Sequence, residues 1–160
     1  MQGGRQSASP IPCALMTFAR LTRRVRFAAA HRYDRPEWSA EENRRIFGAC
    51  NNPVGHGHNY VLDVTVTAPI DGDTGFSVDL PALDAVLQRE VVSRLDHQHL
   101  NHAVPEFAAG RLIPTSENIL AWLWPRIAGG LPGGVWLHRL RLHEDIDLWV
   151  DYSGATESRT

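Results

Sequence analysis

The residues best suited to chemistry lie in one short stretch, Cys50-Asn-Asn-Pro-Val-Gly-His56-Gly-His58. Two imidazoles at positions i and i+2 of a strand project from the same face, where both can bind one metal ion. An earlier stretch of alternating apolar residues ends at His31. If the two segments pair as antiparallel strands, His31 joins His56 and His58. Three neutral histidines with an open fourth position are typical of a catalytic zinc site.

Cys50, just before this histidine pair, has three interpretations that the residues alone leave open. It could be a fourth zinc ligand, an inert buried thiol, or a catalytic base or nucleophile. A loop position near a cation favours the thiolate, and therefore the reactive interpretation. The dipeptide Asp96-His97 follows a predicted helix and lies in a long loop. A carboxylate and an imidazole there suit a proton relay that activates a thiol.

Glu144 comes at the end of an otherwise apolar strand face, the face expected to look toward the metal. A carboxylate is costly to bury without a partner. A two-point contact with the amidine-like edge of a heterocycle would satisfy it. For Asp96-His97 taken alone, a solvated loop is the commoner explanation. His99 and His102 also suggest a second metal site, a weaker hypothesis than the site at His31, His56 and His58.

Alternating residues predict the strands that carry these groups. Residues 21–31 form a half-buried strand, and a second strand runs from His56 to about Ala68, with the histidines and Tyr60 on its apolar face. Two more strands are predicted after Gly133-Gly134. In the first, Trp136, Leu140, Leu142 and Glu144 share a face; in the second, Ile146, Leu148 and Val150 do so.

Three helices are predicted from their capping residues. Ser39 opens a short helix through Phe47, Asp79 caps a long one with Pro81 in its first turn, and another begins near Thr115. No regular pattern appears between Asp96 and Pro114, so a long functional loop is expected there.

The resulting order, β-β-α-α-β-β, predicts an α+β domain in which two long helices cover one face of a four-stranded antiparallel sheet. The other face should be polar, with Arg24, Arg26, Asp63, Arg139, Arg141 and Asp147. Such a sheet has open edges, which favours assembly of several chains into a β-barrel.

Length and composition fit one domain of 160 residues, 43% hydrophobic and 21% charged. We expect a disordered tail over 1–18, with Met16 as an alternative start, a catalytic domain over 19–153 and a second tail over 154–160. The net charge of −2 gives no general reason to expect nucleic acid. No apolar run approaches the ~20 residues of a spanning helix, so we expect no membrane association.

Two residue types narrow the chemistry further. The sequence contains no lysine, which excludes Schiff-base catalysis and leaves arginine, histidine or backbone amides to bind anions. Cys13 and Cys50 are too few for a disulfide framework, so a reducing, cytoplasmic compartment is expected.

The motifs, taken in order, resemble the 6-pyruvoyl tetrahydropterin synthase family. They are Phe27-Ala-Ala-Ala-His31, Ser39-Ala-Glu-Glu-Asn43, the Cys50 to Tyr60 stretch, Leu95-Asp-His97, Pro114-Thr-Ser-Glu-Asn118 and the late Glu144. The resemblance runs from about Leu21 to Tyr152. It implies the tunnelling fold, in which the sheets of three subunits form a barrel and two such rings stack into a homohexamer.

The resemblance also implies roles for individual residues. His31, His56 and His58 would bind one Zn²⁺ per chain, and Cys50 would abstract a proton, with Asp96 and His97 as its relay. Glu144 would anchor the pterin ring, helped by Thr115, Ser116 and Glu117. The implied reaction converts 7,8-dihydroneopterin triphosphate into 6-pyruvoyltetrahydropterin with loss of triphosphate, a substrate that Mg²⁺ could accompany.

Two alternatives remain at this stage. The related 6-carboxytetrahydropterin synthases of the queuosine pathway typically place three residues between the cysteine and His-Gly-His, whereas this chain has five, Asn51 to Gly55. That spacing favours the pyruvoyl enzymes. A zinc- or pterin-binding barrel protein without turnover is the other alternative, and Cys50, Asp96, His97 and Glu144 together argue against it.

Overall fold

A five-stranded sheet with helices packed on one face makes up the protein, whose computed structural model describes residues 17–155. The strands are β1 (Phe18–His31), β2 (His56–Pro69), β3 (Gln98–His99), β4 (Trp136–His143) and β5 (Trp149–Tyr152), in the spatial order β3-β1-β2-β4-β5. The helices are α1 (Ala40–Phe47), α2 (Leu80–Leu87), α3 (Ser93–Leu95), α4 (Leu100–Ala103) and α5 (Ser116–Gly130). The predicted α+β class is confirmed.

The predictions for the chain ends fall largely outside the described residues. Cys13, Met16 and most of the expected N-terminal tail lie there, as do residues 156–160 of the expected C-terminal tail. Phe18, which was assigned to the tail, is instead the first residue of β1.

The long β1–β2 ladder forms the centre of the sheet. All 14 residues of β1 pair antiparallel with β2, from Phe18 opposite Pro69 to His31 opposite His56. Because side chains alternate along each strand, this register directs one set of residues toward the helices. That set provides much of the core, with Phe27, Tyr60, Leu62, Val64 and Val66 all buried.

The prediction of four strands is wrong by one short strand. Gln98 and His99 form β3, which pairs in parallel with Ala29 and Ala30 at the free edge of β1. The preceding residues attach this segment to the strand: Asp96 accepts a hydrogen bond from the Ala28 amide at 2.8 Å, and the His97 amide donates to the Ala28 carbonyl at 2.6 Å. A two-residue strand is too short to leave a periodic signal in the sequence.

The segment from Asp96 to Pro114 is therefore more ordered than expected. After β3 it forms α4 and then a 3₁₀ turn, Pro105–Phe107. Leu100, Val104 and Phe107 are buried in the core. Their spacing of four and then three residues matches a helical stripe, but α4 ends at Ala103, so this short pattern does not correspond to one continuous helix.

The predicted helices begin at their predicted caps. The side chains of Ser39, Asp79 and Thr115 each accept a hydrogen bond from a first-turn amide of α1, α2 and α5. Between α2 and α3 the chain continues as a π-helical turn, Gln88–Val92. The predicted long helix is therefore continuous, but its hydrogen-bonding pattern changes in this turn. Among the described residues, no helix is long and apolar enough to cross a membrane.

The face predicted for Trp136 is wrong. Val66 pairs with Leu137 while Thr65 pairs with Arg139, so His138 is an extra residue in β4. Such a β-bulge reverses the alternation of the residues before it. Leu140 and Leu142 stay buried, but Trp136 pairs with Thr67 on the polar face and is 53% exposed.

The last strand is shorter than predicted. Ile146, Asp147 and Leu148 belong to the turn between β4 and β5, where Ile146 is 93% exposed. Asp147 therefore does not supply the expected charge on the polar face. Asp151 does so, through two hydrogen bonds from Arg141, while Asp63 accepts two from Arg24.

Candidate functional site

Three imidazole nitrogens meet where β1 ends and β2 begins. The Nε2 atom of His56 lies 3.2 Å from Nε2 of His31 and 2.9 Å from Nε2 of His58. The ladder produces this arrangement, because His31 is directly opposite His56 and His58 is two residues further along the same face. His31 is completely buried.

Contacts on the far sides of the rings orient two of these histidines. Nδ1 of His56 lies 3.1 Å from the Ala49 carbonyl, which can only accept, so Nδ1 carries the proton and Nε2 is left with a lone pair. Nδ1 of His31 lies 2.9 Å from the hydroxyl of buried Tyr60. Outer contacts of this kind fix the rings of metal-binding histidines.

The surroundings also favour the neutral form of His31 and His58. Burial, followed by the neighbouring His56, His58 and His99, lowers the pKa of His31 to about 3. Burial lowers the pKa of His58 too, although the charge of Glu144 acts in the opposite direction. Neutral imidazole is the form that binds metals. Because Nε2 of His56 lies within 3.2 Å of Nε2 of both other rings, a cation at that point could bind all three histidines.

Cys50 lies at the edge of this cluster. Its Sγ is 3.8 Å from Nε2 of His56, and its carbonyl accepts a hydrogen bond from the Tyr33 amide. Burial, and then the charge of Glu144, raises the pKa of the thiol. The protein residues around Cys50 therefore favour the neutral thiol, and only a nearby cation would favour the thiolate.

Glu144 completes the cluster from the end of β4. One carboxylate oxygen lies 3.2 Å from Nε2 of His58, and the other accepts a hydrogen bond from Ser116 Oγ at 2.6 Å. Two sets of potential metal ligands therefore overlap at His31: one with Cys50 and His56, the other with His58 and Glu144. Within each set the ligand atoms lie within 4.8 Å of one another.

The structure does not bring Asp96 and His97 to Cys50 within one chain. Both lie at the edge of β1 where β3 attaches, and Nδ1 of His97 is 2.9 Å from Asp96. The His97 side chain is 83% exposed. Its backbone has φ +57°, a left-handed conformation that is uncommon for residues other than glycine.

The predicted pterin-binding residues at the start of α5 lie in three different environments. Ser116 is buried and contacts Glu144, as described above. Thr115 caps the helix by accepting from the Asn118 amide. Glu117 is exposed and forms no ion pair within residues 17–155.

The sequence analysis placed Tyr60 on the histidine face of β2 but gave it no role at the site, and it did not identify Gly55. The role of Gly55 depends on packing that the sequence does not show. Its φ is +76°, and a Cβ atom there would lie 2.7 Å from the His99 ring and 2.8 Å from the His31 carbonyl.

Comparison with known proteins places this geometry in a family. The family model described as 6-pyruvoyl tetrahydropterin synthase matches residues 20–155. The chain belongs to the 6-pyruvoyl tetrahydropterin synthase family. The resemblance seen in the sequence motifs is thereby confirmed.

Individual relatives cover most of the chain. The human 6-pyruvoyl tetrahydrobiopterin synthase is 39% identical over 136 residues, which is 85% of this chain and 92% of the human protein. A dihydroneopterin monophosphate aldolase from Pyrococcus furiosus is 35% identical over 133 residues, covering 83% and 96%. The structure of the Caenorhabditis elegans 6-pyruvoyl tetrahydropterin synthase superposes with a TM-score of 0.80 at 29% identity, covering 88% of this chain and 98% of that one.

Proposed function

We propose that the protein is a 6-pyruvoyl tetrahydropterin synthase that converts 7,8-dihydroneopterin triphosphate into 6-pyruvoyltetrahydropterin and triphosphate. The observation that carries the proposal is the meeting of three imidazole Nε2 atoms beside one free thiol and one partly buried carboxylate. The names of the eukaryotic relatives support the same activity. The reaction redistributes electrons within the substrate, so it needs no nicotinamide.

The metal would be one Zn²⁺ per chain, held by His31, His56 and His58. The orientation of the His56 ring and the neutrality of His31 suit this ligand set. When bound, zinc acts as a Lewis acid that acidifies the positions next to the substrate side-chain hydroxyls. Cys50 is assigned the task of removing a proton at that point, because its sulfur is adjacent to the cluster but is not needed for a three-histidine site.

Asp96 and His97 would relay protons for Cys50 from a second copy of the chain. Asp96 orients the His97 ring, and the exposed ring is free to reach a neighbouring subunit. Within residues 17–155 the outer edges of β3 and β5 pair with no further strand, which supports assembly through the sheet into a barrel. We propose a homohexamer, a dimer of trimers, in the cytoplasm. Sedimentation at assay concentration tests it, since a fully active monomer would contradict both the barrel and the shared site.

Glu144 would bind the pterin ring through its carboxylate, with Thr115, Ser116 and Glu117 beside it. The Ser116 hydroxyl donates a hydrogen bond to one carboxylate oxygen. The other oxygen can therefore give up its contact with His58 and accept a hydrogen bond from an N–H of the pterin ring. Glu144→Gln should therefore raise the KM for the pterin by about tenfold or more, the value of one charge-assisted hydrogen bond. Asp145→Asn, at the exposed neighbouring position, is the control and should leave KM unchanged.

The decisive experiment is a turnover assay that follows released triphosphate and acetaldehyde and determines the mass of the pterin product. The proposal requires free triphosphate and the 6-pyruvoyl product, whether or not Mg²⁺ accompanies the substrate. A 6-carboxytetrahydropterin synthase would release acetaldehyde as well. An aldolase reaction would leave the phosphate groups on the released fragment, and a non-enzymatic pterin-binding protein would give no product.

A further inference from the structure

A second cavity, separate from the three-histidine cluster, lies between the loop before His56 and the segment 107–113. Its volume is about 450 Å³. Pro53 and Val54 line one side, and Leu112 and Ile113 line another. The polar groups around it come from β1, β3, α4 and the loops next to them: Arg32, Asp34, His99, Asn101, His102 and Arg111.

Among the polar groups of this largely apolar lining, cationic and hydrogen-bond-donating ones predominate. Asp34 is the only acidic residue, and its carboxylate already accepts hydrogen bonds from Arg32 at 2.9 Å and from the Asn51 side chain at 3.1 Å. Arg111 is exposed and forms no ion pair within residues 17–155. The cavity therefore carries an uncompensated positive charge on its rim.

Two buried nitrogen atoms of the lining also lack partners. Nε of Arg32 and Nδ1 of His99 make no hydrogen bond within the part of the chain that the structure describes. An arginine Nε always carries a proton, so it needs an acceptor. A buried donor without an acceptor is destabilising, and a ligand that supplies oxygen atoms would correct this.

A metal ion fits this cavity less well than an anion does. The rings of His99 and His102 stack with centroids 4.3 Å apart and an interplanar angle of 18°, so they lie face to face and do not converge on one point. The described residues offer no third ligand to this pair. Arg32 and Arg111 would also repel a cation.

We propose that this cavity binds a phosphate chain, with Arg111, Arg32 and the His99–His102 pair as its donors. In a chain without lysine, arginine and histidine are the side chains left to neutralise phosphate. The phosphate chain can belong to the pterin triphosphate, a source that rests on the proposed function, or to a free inorganic polyphosphate. Both present the same oxygen atoms to the cavity.

Calorimetric titration of the full-length protein with inorganic triphosphate tests the site. Arg111→Ala and His102→Ala remove exposed side chains, so both variants should fold. We expect about tenfold weaker binding in Arg111→Ala, and weaker binding in His102→Ala. Arg20→Ala, an exposed arginine near the other end of β1, is the matched control and should bind like the wild type. Binding at the metal cluster would be the same in all of these proteins.

Two results would overturn the proposal: wild-type protein that does not bind triphosphate, or unchanged binding in both cavity variants. The KM for the pterin triphosphate then separates the sources. An approximately tenfold increase in Arg111→Ala assigns the cavity to the substrate tail, whereas an unchanged KM with weakened triphosphate binding assigns it to a free polyphosphate. Triphosphate binding without turnover would disprove the proposed enzyme activity and leave the phosphate site intact.

Discussion

Two groups of histidines in the protein differ in how their ring nitrogens are placed and in the backbone that carries them. In the first, Nε2 of His56 lies 3.2 Å from Nε2 of His31 and 2.9 Å from Nε2 of His58. In the second, His99 and His102 stack ring on ring. The first lies on a strand ladder with fixed register, and the second crosses from a two-residue strand into a one-turn helix.

The difference teaches that spacing alone does not make a ligand set. His56-x-His58 and His99-x-x-His102 both place two imidazoles close together. Within residues 17–155, only the cluster that contains the first pair has outer contacts, from the Ala49 carbonyl to His56 and from Tyr60 to His31. The backbone conformation and these outer hydrogen bonds decide what a histidine pair can hold.

The largest expected effect is on metal content. His56→Ala/His58→Ala should reduce bound zinc from about one ion per chain to near zero, because a single remaining histidine cannot retain it. His102→Ala should keep the full amount. Elemental analysis of purified protein measures both. Wild-type protein without metal, or unchanged zinc in the double variant, would contradict the assignment of metal binding to the first group.

Cys50→Ala should lower turnover by about a thousandfold while the zinc content stays the same, since the thiol is assigned proton transfer and not ligation. Cys13→Ala is the matched control and should remain active. Rate measurements paired with metal analysis separate the two roles of Cys50. Loss of zinc from Cys50→Ala would show a cysteine-containing ligand set, which is more typical of a structural site.

Tyr60→Phe tests how much the outer contact to His31 contributes to metal affinity. The variant keeps the buried ring and removes only the hydroxyl 2.9 Å from His31. Loss of such a contact weakens metal binding by about 10–100-fold. Competition with a chelator of known affinity measures the change. Tyr152→Phe, at a partly buried position outside the cluster, should bind zinc like the wild type.

The smallest effect concerns the stability of the metal-free protein. Because the pKa of His31 is lowered to about 3, the unfolded chain takes up a proton below pH ~6.5 that the folded chain does not. Stability should therefore fall by about 2 kcal/mol between pH 7 and pH 5. Urea unfolding at both values measures the loss. His102→Ala should show the same loss, and a pH-independent free energy would contradict the burial argument.

The central ladder could be predicted from the sequence. Clear alternation over residues 21–31 and from His56 to about Ala68 fixes both strands and the face on which His31, His56 and His58 lie. Helix starts were predictable for a similar reason, since Ser39, Asp79 and Thr115 act through local hydrogen bonds. The features that were missed depend on distant contacts. β3 is held in place by the hydrogen bonds of Asp96 and His97, just before it, to Ala28, and Trp136 changes face because of one extra residue in β4.

The register of β1 against β2 determines which genetic changes the protein can survive. The 24 residues between His31 and His56 connect the strands without setting their alternation, so insertions in the loops around α1 leave the ladder unchanged. A single-residue insertion inside β2 would turn every later side chain to the opposite face. An insertion between His56 and His58 would change the spacing of the two histidines and would also turn the core residues that follow toward solvent. Length variation in evolution should therefore be concentrated in the connection and absent from the ladder.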